Sequence, residues 1–346
     1  MTSNRKRRKD MSNNFELIDV TLRDGSNAVN YQFSVEDTEN IVKGLEKGGI
    51  RWMEIGHGLG LGATERTAIK ALHSDEEYIA SARIAAKEMK IGCFFLHTIG
   101  DKSDIDKAID CGLDFLRVGP NANMEEIRES GKYIEYAKSK GLIVHCCIRK
   151  AYAVTPDELA RQAKVVQAYG TDAVIIMDSA GTLLPNQTKE YIYAMKDQMR
   201  GCTAMKVGYH AHDNLSLAVA CSLAAVEAGA DYIDSCLKGL GRSAGNAPTE
   251  ILTAALKRIG YDKGDFLILQ DIAEEYIGRK ASESLESISL SFGYAGFHSA
   301  FYEMIEKAAK DYHLDPRALV LETCRRERLN LTEKMIGDVA KKMSGF

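Results

Sequence analysis

At residues 209–214 the chain reads Tyr209-His210-Ala211-His212-Asp213-Asn214, directly after an apolar run that begins at Met205. The run predicts a short β-strand, on which residues two apart point to the same face. His210 and His212 should therefore project together at the strand's C-terminal end, while Asp213-Asn214 cap a helix that begins near Leu215. Two neighbouring imidazoles at a strand end are a common way to hold a divalent metal. The other interpretation is a polar loop whose histidines contact nothing.

The composition is that of an ordinary globular protein, with 346 residues of which 45% are hydrophobic and 27% charged. The net charge of −4 gives no reason to expect nucleic acid or an anionic membrane as a partner. No apolar run approaches the roughly 20 residues that a membrane-spanning helix needs. None of the eight cysteines shows the paired spacing of a zinc ribbon, so we expect reduced thiols in a cytoplasmic protein.

The first fourteen residues contain the basic run Arg5-Lys6-Arg7-Arg8-Lys9 and no apolar signal core. Such a run can bind nucleic acid or direct localisation, but the rest of the chain is acidic. We therefore expect residues 1–14 to be a disordered basic tail.

From residue 15 onward, short apolar runs alternate with longer helical patterns. The predicted strands lie at residues 15–21, 50–55, 91–96, 115–118, 142–148, 173–177, 205–210 and 232–236. Eight strand–helix units with nearly continuous apolar strands predict an α/β protein, a (β/α)8 TIM barrel over residues 15–265. A doubly wound open sheet would need a nucleotide fingerprint after the first strand, and Arg23-Asp24-Gly25-Ser26 is not one. Residues 266–346 are expected to form a small, mainly helical C-terminal domain.

Chemistry in such barrels gathers at the C-terminal ends of the strands. Asp24 follows the first predicted strand, and His210 and His212 end the seventh. One carboxylate and two imidazoles at one mouth would make a three-ligand site with open positions for substrate oxygens. Taken alone, Asp24 could be a turn residue and Arg23 a salt-bridged rim residue.

Three motifs at these strand ends resemble one enzyme superfamily. They are Thr21-Leu22-Arg23-Asp24-Gly25, the pair around Ala211, and Gly239-Leu240-Gly241 followed by Ala244-Gly245-Asn246. Together they resemble the DRE-TIM metallolyases, which are HMGL-like enzymes. The chain is most similar to the pyruvate aldolases of the 4-hydroxy-2-oxovalerate aldolase type. The likeness runs from Phe15 to about Met343 and includes Gly293-Tyr294-Ala295-Gly296.

The resemblance implies a lyase that cleaves or forms a carbon–carbon bond of a 2-oxo acid through a pyruvate-type enolate. It implies Asp24, His210 and His212 as ligands of a divalent metal, with Asn246 as a further residue at the metal. Mn²⁺ is the expected cation, with Mg²⁺, Co²⁺ or Zn²⁺ as alternatives. Arg23 would stabilise the enolate, and Tyr294, in an expected turn at Gly293-Tyr294-Ala295-Gly296, matches an active-site tyrosine of these aldolases.

Asn27 departs from the pattern of these aldolases. They carry a histidine here as general base for the 4-hydroxyl proton, and an amide cannot accept a proton at neutral pH. His57, at the end of the second predicted strand, is our first candidate for a substitute base. His298, four residues beyond Tyr294, is a second candidate, although it could equally pack beneath the tyrosine.

The C-terminal region resembles the small domain through which these aldolases contact an acylating aldehyde dehydrogenase. We therefore expect such a partner, or a second copy of the chain, to bind there. Three other functions stay open from sequence. They are an acyl-CoA Claisen synthase of the isopropylmalate synthase type, a catalytically altered partner subunit, and a non-haem iron oxygenase.

Overall fold

The computed structural model describes residues 15–200, 205–278 and 287–345. Its core is a closed barrel of eight parallel strands in sequence order, in which the first strand also pairs with the eighth. The strands are β1 Glu16–Asp19, β2 Trp52–Ile55, β3 Lys90–Phe95, β4 Phe115–Val118, β5 Ile143–Ile148, β6 Ala173–Asp178, β7 Lys206–Ala211 and β8 Tyr232–Ser235. The predicted TIM barrel is confirmed, and the expected tail at residues 1–14 lies outside the described residues.

Helices follow the strands and cover the outside of the barrel. They are α1 Val35–Lys47, α2 Ala63–Arg66, α3 Asp75–Ala85, α4 Lys102–Asp110, α5 Met124–Ser139, α6 Pro156–Ala168, α7 Pro185–Gln198, α8 Ala218–Glu227 and α9 Thr249–Arg258. Local capping sets several of their starts. Ser34 opens α1 with a capping box, in which its hydroxyl accepts the Asp37 N–H and the Asp37 carboxylate accepts the Ser34 N–H.

The barrel interior is packed side chain against side chain at its N-terminal end. Trp52 and Phe115, each the first residue of its strand, lie with ring centroids 5.1 Å apart. His145 and Tyr232 lie beside them, with centroids 4.7 Å apart. This aromatic layer closes the end of the barrel opposite the strand ends that carry the candidate ligands, so chemistry is confined to one mouth.

The C-terminal helices build a second apolar core. α10 (Phe266–Ile272) and a π-helical turn (Ala273–Ile277) pack their buried side chains into the barrel core. A separate cluster begins at Ile288 and is formed by α11 Ser287–Ala295, α12 Tyr302–Asp311, α13 Pro316–Arg326 and α14 Glu333–Met343.

Two polar contacts tie this second core to the barrel mouth. The side-chain amide of Asn214, after β7, donates to the Ser243 hydroxyl at 2.7 Å and to the Ser289 carbonyl at 3.1 Å. Lys150, after β5, donates to the Leu329 carbonyl at 3.2 Å. The C-terminal helices therefore lie against the end of the barrel that carries the candidate ligands. Over the ranges that the structure describes, no helix has the length and apolarity needed to cross a membrane.

Candidate active site

Asp24, His210 and His212 come together at the barrel mouth, each of them buried. His210 lies near the end of β7 and His212 directly follows the strand. Asp24 lies in a tight turn directly after β1, where the N–H groups of residues 23, 24 and 25 all bond to the Val20 carbonyl. One ligand atom from each of the three side chains lies within 4.8 Å of the other two. The strand alternation read from residues 209–214 therefore places both imidazoles on one side, as predicted.

Hydrogen bonds fix which ring nitrogen of each histidine faces the cluster. Nδ1 of His210 lies 2.9 Å from an Asp234 carboxylate oxygen, and Nδ1 of His212 lies 3.1 Å from the Gly245 carbonyl oxygen. Both partners are acceptors, so both rings carry their proton on Nδ1. In the neutral form of each ring Nε2 then carries a lone pair, and the two Nε2 atoms lie 3.4 Å apart beside the Asp24 carboxylate. A cation fits this donor set because it would remove the repulsion between the lone pairs.

The charge state of the cluster also suits a cation. Burial alone would raise the pKa of Asp24. The Arg23 guanidinium and the two histidines have the larger combined effect, and they hold this pKa well below its usual range. Burial lowers the pKa of His212 to about 4, although Asp24 acts in the opposite direction. At neutral pH the cluster thus offers an ionised carboxylate and a neutral imidazole. The Asn246 amide holds the carboxylate in place by donating to its Oδ2 at 2.7 Å.

Arg23 is held rigidly beside the cluster. Its Nη1 donates to Asp24 and its Nε to Glu54, each at 2.7 Å, and its guanidinium carbon lies 4.7 Å from the centre of the Phe94 ring. The remaining nitrogen, Nη2, is buried without a hydrogen-bond partner. An unpaired buried donor costs free energy unless something else accepts from it. It is therefore a place for an anionic oxygen of a ligand.

A buried ionic network supports this side of the site, and sequence reasoning missed it. The fully buried Arg117 on β4 donates to Glu54 on β2 at 3.1 Å and to Asp234 on β8 at 2.6 Å. The network thus joins Arg23 to His210 through Glu54, Arg117 and Asp234. One signal was present in the sequence, since Glu54 and Arg117 each interrupt an otherwise apolar strand and Asp234 follows the apolar pair at the start of β8.

Asn27 lies next to the cluster, with its amide engaged on both sides. Its Nδ2 donates to the main-chain carbonyl of Asp24 at 2.9 Å, and its Oδ1 accepts the Tyr31 hydroxyl at 2.7 Å. The Tyr31 ring stacks on His57 with centroids 4.1 Å apart and planes at 11°. Asn27 is therefore at the mouth, where a proton-transferring group was expected.

The other predicted residues lie in different surroundings. Both nitrogens of His57 bond to the main chain, Nδ1 to the Leu59 N–H at 3.0 Å and Nε2 to the Ile69 carbonyl at 3.2 Å. Tyr294 does not join the cluster, because its side chain is 77% exposed. The expected glycine turn around it was also wrong, since Gly293-Tyr294-Ala295 is the last turn of α11. His298 is buried, and its Nδ1 accepts the Ala300 N–H at 3.1 Å.

A cavity of about 600 Å³ separates the barrel mouth from the C-terminal helices. The barrel contributes Asn27, Tyr31 and Arg242 to its lining, and the C-terminal region contributes Phe292 and Tyr302. Asn27, beside the cluster, therefore opens onto a space large enough for a small organic substrate.

Two family models match the chain and together span almost all of it. Residues 14–274 match the HMGL-like family, and residues 283–345 match the DmpG-like communication domain. The HMGL-like family implies a divalent metal, in agreement with the donor set.

Full-length relatives agree with these matches. The chain is 37% identical to a 4-hydroxy-2-oxovalerate aldolase of Carboxydothermus hydrogenoformans over 96% of this chain and 98% of that one. It is 35% identical to 4-hydroxy-2-oxovalerate aldolase 2 of Rhodococcus jostii over 97% of both chains. The predicted resemblance is confirmed, and the Claisen synthase alternative gains no support.

Among solved structures, the fold is similar to the carboxyl transferase domain of Rhizobium etli pyruvate carboxylase, in a structure with pyruvate. The TM-score is 0.76 at 18% sequence identity, over 98% of this chain and 63% of that one. At this identity the likeness concerns the fold alone. The family models, the full-length relatives and the converging ligand set lead to one conclusion: the chain belongs to the HMGL-like family, among the carbon–carbon lyases related to 4-hydroxy-2-oxovalerate aldolase.

Proposed function

We propose that the chain cleaves the C3–C4 bond of a 4-hydroxy-2-oxo acid to pyruvate and an aldehyde, and catalyses the reverse addition. The observation that carries this proposal is the convergence of Asp24, His210 and His212, whose two Nε2 atoms lie 3.4 Å apart beside the carboxylate. A divalent cation held by Asp24, His210 and His212, with Asn246 steadying the carboxylate, would supply Lewis acidity toward the 2-oxo and carboxylate oxygens of the substrate. We favour Mn²⁺, which the family resemblance implies, and keep Mg²⁺, Co²⁺ and Zn²⁺ as alternatives, because a carboxylate with two imidazoles can hold any of them.

Arg23 meets the negative charge that develops on the enolate oxygen. Its two ion pairs fix the plane of the guanidinium, and its unpaired Nη2 is a donor that does not have to reorganise during the reaction. Preorganised donors of this kind contribute to catalysis because their orientation is set before the charge develops.

The 4-hydroxyl proton needs a route that does not end on Asn27. The amide can position that hydroxyl through a hydrogen bond but cannot remove its proton. His57, our proposed substitute base, would first have to release the Leu59 N–H from Nδ1. Burial also lowers the pKa of His57, so the ring is neutral at pH 7. Transfer to His57 through a water is the route that we propose for testing.

The test is pyruvate release from a panel of 4-hydroxy-2-oxo acids, measured before and after removal of metal with a chelator. We expect activity that disappears with chelation and returns most strongly with Mn²⁺. His210→Ala should abolish both metal binding and turnover, whereas the surface variant His73→Ala should change neither. Stoichiometric metal without turnover on any 2-oxo acid would instead indicate a catalytically altered subunit.

We further propose that the C-terminal region, predicted to span residues 266–346, binds an acylating aldehyde dehydrogenase or a second copy of the chain in the cytoplasm. The DmpG-like communication domain match and the position of α11 over the mouth support this proposal. Light scattering of the full chain, alone and mixed with such a dehydrogenase, measures the association. A monomer at all concentrations that binds no dehydrogenase would contradict it.

A further inference from the structure

Arg242 lies in the loop after β8 and is connected to the ligand cluster at two points. Its main-chain N–H donates to Oδ2 of Asp24 at 3.3 Å. Its guanidinium lies beside the Tyr31 hydroxyl, where its positive charge opposes the rise that burial causes in the pKa of Tyr31. The Tyr31 hydroxyl in turn donates to Asn27. The main chain of Arg242 therefore contacts the ligand cluster, while its side chain reaches away from the cluster to Tyr31. Arg242 and Asn27 line the same cavity.

The Arg242 guanidinium has no ion-pair partner among the described residues, since none of their carboxylates lies within 4.0 Å of it. It lines the cavity of about 600 Å³ between the barrel and the C-terminal helices. Among the described residues that line it, Glu303 is the one with a carboxylate, and its side chain is exposed in the first turn of α12. A guanidinium that lines a ligand-sized cavity and forms no ion pair with the described residues is a suitable partner for a carboxylate, because it can donate two parallel hydrogen bonds.

Further positive charge lies behind Arg242. Lys150 is buried, with its ammonium 4.8 Å from the centre of the Phe301 ring and hydrogen-bonded to the Leu329 carbonyl at 3.2 Å. Arg149 has its nearest carboxylate, Glu126, at 3.9 Å. After burial, the charges of Arg242, Lys150 and Arg149 are the main reasons why the pKa of His298 lies well below its usual value. This end of the cavity therefore favours an anion.

We propose that Arg242 binds a carboxylate on the aldehyde half of the substrate, so that the preferred substrate is a 4-hydroxy-2-oxo dicarboxylate. This inference rests on the proposed aldolase function and adds a substrate class to it. With the 2-oxo acid end at the ligand cluster, C4 lies toward Asn27. The chain beyond C4 then runs toward Tyr31 and Arg242, where a terminal carboxylate meets the guanidinium.

The reaction balances without a further reactant. The C3–C4 bond breaks, and its electron pair becomes that of the pyruvate enolate. The 4-hydroxyl oxygen becomes the carbonyl oxygen of the departing oxo acid, while its proton leaves to water. C3 then takes a proton from water. The products are pyruvate and an ω-oxo carboxylate, which together contain all the atoms of the substrate.

Binding of two non-cleavable probes tests the subsite independently of catalysis. 2-Oxoadipate and 2-oxohexanoate have the same chain length and differ in the terminal carboxylate. Titration calorimetry with Mn²⁺ present should show 2-oxoadipate binding more tightly by on the order of 10- to 100-fold, the range expected of a charge-assisted hydrogen bond. Arg242→Gln should remove that preference. The matched control Arg258→Gln, at an exposed arginine ending α9, should keep it.

Turnover of 4-hydroxy-2-oxoadipate and 4-hydroxy-2-oxohexanoate tests the same subsite during the reaction. We expect kcat/KM to favour the dicarboxylate by at least about tenfold, with most of the difference in KM. Arg242→Gln should lower this ratio toward one, and Arg242→Lys should restore part of it. If Arg242→Gln lowers kcat/KM by the same factor for both substrates, Arg242 has only a structural role and the inference is wrong.

The two measurements separate the inference from the proposed function. If neither hydroxy acid releases pyruvate but wild-type protein prefers 2-oxoadipate and the Arg242→Gln variant does not, the subsite exists and the aldolase proposal fails. If pyruvate is released equally well from both substrates and neither probe is preferred, the aldolase proposal stands and the carboxylate subsite is wrong.

Discussion

The carboxylate of Asp234 accepts a hydrogen bond from Nδ1 of His210 at 2.9 Å, and this bond decides which nitrogen of the ring faces Asp24. The same carboxylate oxygen accepts from Arg117 at 2.6 Å. Burial alone would raise the pKa of Asp234, but the opposite effect of Arg117 and His210 is larger and lowers this pKa below its usual value. The carboxylate is therefore an ionised acceptor. The orientation of His210 toward Asp24 and His212 thus depends on a fourth residue, Asp234.

Asp234→Asn should weaken metal binding by about 10- to 100-fold, the usual scale for loss of a partner that orients a ligand. Because one oxygen of Asp234 accepts from both Arg117 and Nδ1 of His210, the amide oxygen of the variant would keep both contacts but without the negative charge. A neutral acceptor holds the proton on Nδ1 less firmly, so the tautomer that leaves Nε2 free to ligate becomes less populated. Titration with Mn²⁺ measures the effect, and Asp172→Asn, in a half-exposed pair with Lys138, is the control. Equal affinity in both variants would show that Asp234 does not set the tautomer.

Arg23→Ala should lower kcat by roughly 10²- to 10³-fold, the scale for one lost oxyanion donor. From sequence we expect the variant to keep its fold, but the contacts of Arg23 in the structure indicate that the variant is less stable. The variant leaves the buried Glu54 with Arg117 as its remaining cation, so the free energy of unfolding should fall by about 1–3 kcal/mol. Steady-state kinetics and urea unfolding measure the two effects, with Arg23→Lys as the variant that keeps the charge. An unchanged kcat would make Arg23 purely structural.

Asn27→His should raise kcat/KM for 4-hydroxy-2-oxovalerate by tenfold or more, because general-base catalysis contributes about 10²- to 10⁴-fold. The activity gained should appear as pH rises through the pKa of the new imidazole, since only the neutral ring accepts a proton. Asn27→Gln, which keeps an amide, should show no gain. A pH-rate profile of each variant makes the comparison. If Asn27→His brings no gain and His57→Ala is harmless, the proposed proton route is wrong.

Gly293→Ala should loosen the contact between α11 and the barrel. A Cβ at this glycine would lie 2.8 Å from Cβ of Asn214 and 3.0 Å from its carbonyl carbon, closer than such atoms approach. We expect a loss of stability of about 1–3 kcal/mol, the usual cost of overpacking. Gly337→Ala, in α14 with open space around it, is the matched control and should be neutral or stabilising. The midpoint temperature of thermal unfolding, measured for both variants, tests the difference. Equal shifts in this temperature would show that a side chain at residue 293 does not disturb the contact between α11 and the barrel.

The barrel and the convergence of Asp24, His210 and His212 could be predicted because both depend on local periodicity. Alternation along β7 places His210 and His212 on one side, and eight apolar runs separated by helical patterns predict parallel strands. Boundaries were less accurate. The helix expected near Leu215 begins at Ala218, where the Asp213 carboxylate accepts the helix N–H.

The surroundings of the triad could not be read in the same way. Asp234 contacts Arg117 across 117 residues of sequence, and no local pattern specifies such a contact. Tyr294 was misplaced because its glycines suggested a turn, whereas packing against the barrel keeps the segment helical. The engagement of His57 with Leu59 and Ile69 likewise depends on the path of a loop.

One side-chain amide, that of Asn214, hydrogen-bonds both the loop that follows β8 and the first turn of α11. Displacement of α11 therefore breaks or redirects a bond that holds Ser243, the residue next to Arg242. By thermodynamic linkage, this coupling is reciprocal. If a protein bound to the C-terminal helices changes the affinity of the mouth for its substrate by some factor, the substrate changes the affinity for that protein by the same factor.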